Sequence, residues 1–161
     1  VWFEGYGQIF LYSGEQTLVS LCSDNALFLL SRHFTINQLI FSNMKKVLIL
    51  INAAPYGTEK AYNGLRLAMQ IQKDHEGTEL YVFLMADAVT CALPNQNTPN
   101  GYYNIERMLK AVLLKNGKVR LCGSCCEARG IKDFKLIDGT ELSTMRELAD
   151  LTMNCDKVFT F

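Results

Sequence analysis

The sequence predicts an α/β fold in which a mainly parallel sheet carries helices on both faces. Three observations lead there. Val47-Leu-Ile-Leu-Ile51 is an unbroken apolar run, as expected of a strand covered on both sides. From Met44 onward, apolar runs of strand length alternate with longer stripes of helical period, which is the pattern of repeated βα units. The third such strand, ending at Leu121, runs directly into Cys122-Gly-Ser-Cys-Cys126, a turn into a short helix that bears three thiols.

Each element has its own justification. The first strand, 46–51, is followed by the small-residue turn Asn52-Ala-Ala-Pro-Tyr-Gly57, and Thr58 is of a type that caps a helix. That helix runs to about residue 73, its stripe formed by Ala61, Leu65, Ala68 and Met69, with Gly64 marking close packing on a neighbour. A second strand spans 79–85, and Ala86-Asp87-Ala88 leads to a loop dense in Pro, Asn and Gly over 93–101. The next helix, about 103–115, places Ile105, Met108, Leu109 and Val112 on one face and stops at Asn116-Gly117. After the strand 118–121, a short helix covers 124–129 and Gly130 closes it. Residues 134–137 read equally as loop or strand. Ser143 then caps a helix reaching about residue 153, and a last strand covers 156–161.

The 161 residues suit one domain with a sizeable core. Residues 1–43 lack a sustained period of two or 3.6. They are expected to be non-native upstream sequence or a poorly ordered extension, with the folded protein beginning at Met44. The alternative is a true extension, ordered near residues 25–30, that packs on the core or a partner. The formal net charge is zero and Lys and Arg are not clustered, so neither nucleic acid nor an anionic membrane is an expected partner. No apolar stretch approaches the ~20 residues of a membrane span. Glu4 stands where a secretory signal would carry basic residues. The expected location is cytoplasmic, with the six cysteines as free thiols, metal ligands or redox groups.

Ligands of open α/β sheets bind beyond the strands' carboxyl ends, where residues 52–57, 85–91 and 121–126 converge. Cys122 sits where the first N–H groups of a helix favour a thiolate, the form that attacks sulfur and binds metal. Cys122 and Cys125 form a CxxC, and Cys126 adjoins it. No second CxxC or His pair completes a zinc set, so no metal is assigned within one chain and no cofactor is called for. Around the thiols, Tyr56, Gly57, Asp87, Cys91, Cys126 and Arg129 are candidate pocket residues. Each has a plainer reading. Tyr56 and Gly57 turn the chain, Asp87 caps a turn, Cys91 packs a loop, and Cys126 is a small buried residue. Arg120 and Arg129 are either solvated or a source of positive potential for an anionic persulfide. Cys155 is expected to be structural. No nucleotide fingerprint, Ser–His–Asp set or HExxH is present.

Several of these segments together resemble the DsrE/DsrF-like family. They are Ala54-Pro-Tyr-Gly-Thr58, Met85-Ala-Asp-Ala88, Thr98-Pro-Asn-Gly-Tyr-Tyr103, Leu121-Cys-Gly-Ser-Cys-Cys-Glu-Ala-Arg-Gly-Ile131 and Asn154-Cys-Asp-Lys-Val-Phe159. The resemblance covers residues 44–161, and the cysteine run is its specific part. It implies a flavodoxin-like three-layer sandwich assembling as a homotrimer or homohexamer. It also implies that Cys122, the match to the carrier cysteine of TusD-type sulfur-relay subunits, holds a persulfide. Cys125 and Cys126 depart from a one-cysteine carrier and leave room for an internal disulfide or a metal. Two functions are compatible with this. One is a sulfurtransferase-like carrier between a sulfur donor protein and an acceptor protein, with Cys122 and Cys125 as its catalytic pair. The other is a non-enzymatic homo-oligomeric module whose thiols sense redox state or bind metal.

Overall fold

The computed structural model describes residues 45–161. The reading of residues 1–43 therefore lies outside the described residues, as does the choice of Met44 as a start.

Among the described residues, five strands form one sheet in the order β4-β3-β2-β1-β5, and every pairing is parallel. The strands are β1 (Lys46–Ile51), β2 (Glu79–Leu84), β3 (Lys118–Cys122), β4 (Thr140–Ser143) and β5 (Lys157–Thr160). The helices are α1 (Lys60–Asp74), α2 (Ile105–Leu114), α3 (Gly123–Ala128) and α4 (Met145–Asn154), with a 3-10 helix over Ala86–Ala92. The predicted α/β sandwich with helices on both faces is what the chain adopts.

Register decides which side chains meet which layer. Ile49 pairs with Val82, and Val82 with Val119, so these apolar residues line one face beneath α1 and α2. Gly64 lets α1 approach that face. A Cβ there would stand 3.1 Å from Ile51 Cδ1 and 3.2 Å from a Phe161 ring carbon, the close packing that the glycine predicted.

The other face is different in chemistry. Leu50, Phe83, Arg120 and Glu141 lie side by side across four strands. Glu147 of α4 reaches Arg120 there, with its Oε1 2.9 Å from Nε. At the amino ends of the strands on this face, Glu79 accepts from Lys118 and from the Tyr81 hydroxyl. Across β1, β2 and β3 one face is thus apolar, and the other sets ion pairs beside the buried Leu48 and Phe83.

Local details depart from the sequence reading in four places. Thr58 is not the cap of α1: Glu59 occupies that position and makes no side-chain cap bond. Residues 86–92, given no element in the sequence reading, form a 3-10 helix that begins at Ala86, where φ is 51°, just after β2. Residues 134–137 carry no strand, and the missed strand is the short β4. Its four residues, three of them charged or hydroxylated, give no apolar alternation to read, and pairing with β3 creates it. Ser143 consequently ends β4, while Thr144 caps α4 by accepting from the Glu147 N–H. Asn116, with a φ of 62°, supplies the left-handed stop after α2.

Candidate functional site

The thiols gather where β3 ends. Cys122 is the last residue of β3 and the N-cap of α3, so its sulfur hangs over the first turn of that helix. The residue is 2 % exposed. Burial pushes its thiol pKa up, but donors around the sulfur outweigh it and bring the pKa below the ordinary value. These are the Cys125 thiol, the Ser124 hydroxyl and the Cys125 and Ser124 backbone N–H groups. The Ser124 oxygen lies 3.2 Å from Cys122 Sγ. Cys122 is therefore the member of the cluster suited to exist as a thiolate, the nucleophilic form.

Cys125 has the opposite character. It is partly exposed, and its pKa is raised, first by desolvation and then by its bond to Cys122. Its sulfur also accepts the Ala86 N–H at 3.3 Å. That contact depends on the left-handed backbone at Ala86, a conformation that a residue with a Cβ adopts at some cost. Strain at Ala86 thus sits directly against the thiol pair.

Cys126 is fully buried and its pKa is raised, by desolvation and then by the neighbouring thiols. Cys91 is also fully buried, and burial pushes its thiol up to about 12, so at neutral pH it is a packed neutral group. Cys155 is partly buried and raised for the same first reason.

Both arginines are engaged by carboxylates. Arg129 closes on Asp87, with Nη2 2.6 Å and Nε 3.0 Å from Oδ1, while its Nη1 donates to the Cys125 carbonyl. Arg120 is bound by Glu141 at 3.0 Å and Glu147 at 2.9 Å. The Asp87 carboxylate thus caps no turn, and its Oδ1 is taken up by Arg129.

Tyr56 lies with a different set of residues. Its hydroxyl donates to Gln96 Oε1 at 2.7 Å and accepts the Ile105 N–H at 3.3 Å, and its ring stacks toward Tyr103. Gln96 in turn donates to the Cys91 and Leu93 carbonyls and, through its own N–H, to Glu106. Tyr56 thereby pins the loop before α2, and its hydrogen bonds do not run to the thiols. Gly57, with a φ of 97°, allows the turn that brings Tyr56 to this loop.

The structure thus brings together Cys122, Cys125, Cys126, Asp87 and Arg129, and it assigns Tyr56 and Cys91 to loop packing. Ser124 and Ala86 also belong to the cluster, although the sequence pattern does not single them out. Ser124 is visible inside the CxxC, but Ala86 acts through backbone conformation, which its side chain does not signal. Among the described residues, no group of three or more His, Cys, Asp or Glu side chains is placed to hold a metal ion. None of the described helices is long and apolar enough to cross a membrane.

An open parallel sheet with a buried cysteine of lowered pKa at a strand end and a second thiol three residues on defines a thiol-centred α/β protein of flavodoxin-like form. The chain belongs to the DsrE/DsrF-like family, whose model matches residues 45–161. It is 45 % identical to protein YchN of Escherichia coli over 118 residues, 73 % of this chain and 100 % of that protein. It is 39 % identical to the uncharacterized protein MJ0989 of Methanocaldococcus jannaschii over 116 residues, 72 % of this chain and 99 % of that one. The crystal structure of the E. coli YchN protein superposes with a TM-score of 0.70 at 45 % identity, covering 73 % of this chain and all of that one. A Bacteroides thetaiotaomicron protein of unknown function, BT1422, shares the fold alone. Its TM-score is 0.54 at 15 % identity, over 73 % of this chain and 95 % of that one.

Proposed function

We propose that this protein is a sulfur carrier of the sulfur-relay type, which accepts sulfane sulfur on Cys122. The observation that carries the reading is the place of Cys122 at the start of α3, with the Ser124 hydroxyl 3.2 Å from its Sγ and a pKa that is lowered although the residue is almost fully buried. A thiolate of that kind attacks the terminal sulfur of a donor's persulfide, and the donor leaves as a thiol. Membership of the DsrE/DsrF-like family supports the same class of chemistry. Donor and acceptor proteins are part of this proposal, and so is self-assembly into a trimer or hexamer. Exposed apolar side chains at the sheet edges, among them Leu142, Val158 and Phe159, are consistent with assembly.

The test uses the full chain, reduced, freed of reductant and exposed to a persulfide donor. Consumption of donor persulfide is followed, and the sulfur adduct is located by rapid alkylation and peptide mapping. Cys155→Ala should take up sulfur as the parent chain does, and Cys122→Ala should take up none. Uptake that survives Cys122→Ala would overturn the assignment.

A further inference from the structure

We infer that this site does not simply hold its sulfur but discharges it as hydrosulfide, with Cys122 and Cys125 closing into a disulfide. The inference rests on the reading of Cys122 as the sulfur acceptor and concerns the fate of the sulfur once it is bound.

Two features of the geometry lead to it. The first concerns charge. A persulfide that waits for an acceptor is anionic and is stabilised by a nearby cation, and the two arginines flanking the thiols in sequence are the obvious sources. Both guanidiniums are held by carboxylates, Arg129 by Asp87 and Arg120 by Glu141 and Glu147. Among the described residues, no Lys or Arg side chain hydrogen-bonds the sulfur of Cys122, Cys125 or Cys126. Neither guanidinium is free to bond a persulfide anion, and the Arg129 charge that acts on the thiols is shared with Asp87.

The second feature is the resolving thiol. Cys125 stands three residues after Cys122, across the first turn of α3. Cys122 is 2 % exposed whereas Cys125 is partly exposed, so solvent reaches the thiol that must lose a proton. The Ala86 N–H aimed at Cys125 Sγ favours that sulfur's negative charge as it deprotonates. The spacing across the first turn of α3 is that of a CxxC, in which the two sulfurs are placed for exchange.

The step balances without a further reactant. Cys125 loses its proton to water, and its thiolate attacks Sγ of the Cys122 persulfide. The bond between Cys122 Sγ and the terminal sulfur breaks, and its electron pair departs with the terminal sulfur as hydrosulfide. The sulfane sulfur is reduced by two electrons, and the two cysteines are oxidised by two to the disulfide. Each further cycle needs an external dithiol or glutathione-class reductant to restore both thiols. The activity is that of a persulfide reductase: sulfane sulfur enters and hydrosulfide leaves.

The experiment loads the reduced full chain with glutathione persulfide and removes the donor rapidly by desalting. Released hydrosulfide is trapped with monobromobimane while intact mass and the peptide spanning Cys122 and Cys125 are followed. The parent chain should release hydrosulfide in proportion to the sulfur it took up. It should lose two hydrogens across Cys122 and Cys125 as it does so. Cys125→Ser should retain the added sulfur on Cys122 and release none. A parent chain that keeps its Cys122 persulfide overturns the discharge and leaves the carrier reading intact. Hydrosulfide release by Cys125→Ser at the parent's rate overturns it as well. Absence of sulfur uptake by both the parent chain and the variant overturns the carrier reading, and this inference with it. The disulfide in the parent chain is read without any substitution, so the result does not depend on how a variant folds.

Discussion

Arg129 and Asp87 form a two-donor ion pair on one carboxylate oxygen that ties the 3-10 helix after β2 to α3, directly beside Cys125. The pair keeps the Arg129 charge occupied within reach of the thiols. Burial and the contact with Cys122 raise the Cys125 pKa, and Arg129 opposes them.

Asp87→Asn should therefore shift the thiol chemistry more than the fold. Removing the carboxylate leaves the guanidinium charge uncompensated beside Cys125, which favours its thiolate. The pH midpoint for alkylation of Cys125, followed by peptide mapping, should move down. The thermal unfolding midpoint should stay near that of the parent, because exposed ion pairs contribute little. An unchanged alkylation profile would show that Asp87 does not hold the charge away from the thiol.

Acid should weaken the ladder at the amino ends of the strands. The hydrogen bond from Lys118, followed by that from Tyr81, holds the Glu79 carboxyl at about 2 against an ordinary value of 4.5. A depressed folded pKa means the unfolded chain takes up the proton first as pH falls. The stabilisation is complete above 4.5 and is lost between 4.5 and about 2. Denaturant titrations across that window should show a smaller decline for Glu79→Gln than for the parent chain. Equal slopes would remove Glu79 from the account of acid stability.

Tyr56→Phe separates loop packing from chemistry. The change deletes the hydroxyl that donates to Gln96 and accepts from the Ile105 N–H. It should cost about 1 kcal/mol in urea unfolding and leave sulfur uptake on Cys122 unaltered. A loss of uptake with unchanged stability would return Tyr56 to the thiol pocket.

The repeated βα pattern was legible because a strand buried on both faces must be continuously apolar, and Lys46–Ile51 is apolar throughout after its first residue. The position of the thiols was legible for a related reason, since the apolar run of β3 stops at the turn into a helix. Other features left no trace in the pattern. β4 is four residues long and mostly polar, so its strand character arises from pairing with β3 alone. The left-handed Ala86 could not be read because a Cβ there argues against the conformation it adopts.

The sequence by itself determined the layered α/β architecture, the family, and the placement of Cys122, Cys125 and Cys126 at a strand-to-helix junction. These depend on periodicity, local turn chemistry and neighbours in the chain. The tertiary structure decided which thiol has its pKa lowered, which is partly exposed and which charges surround them. Cys122 meets its donors within one turn, but Ala86 and Asp87 reach α3 from some forty residues away. Glu141 and Glu147 occupy Arg120 from beyond β3. Charge and solvation at a site are sums over everything packed around it, and those neighbours are set by the fold rather than by adjacency in the chain.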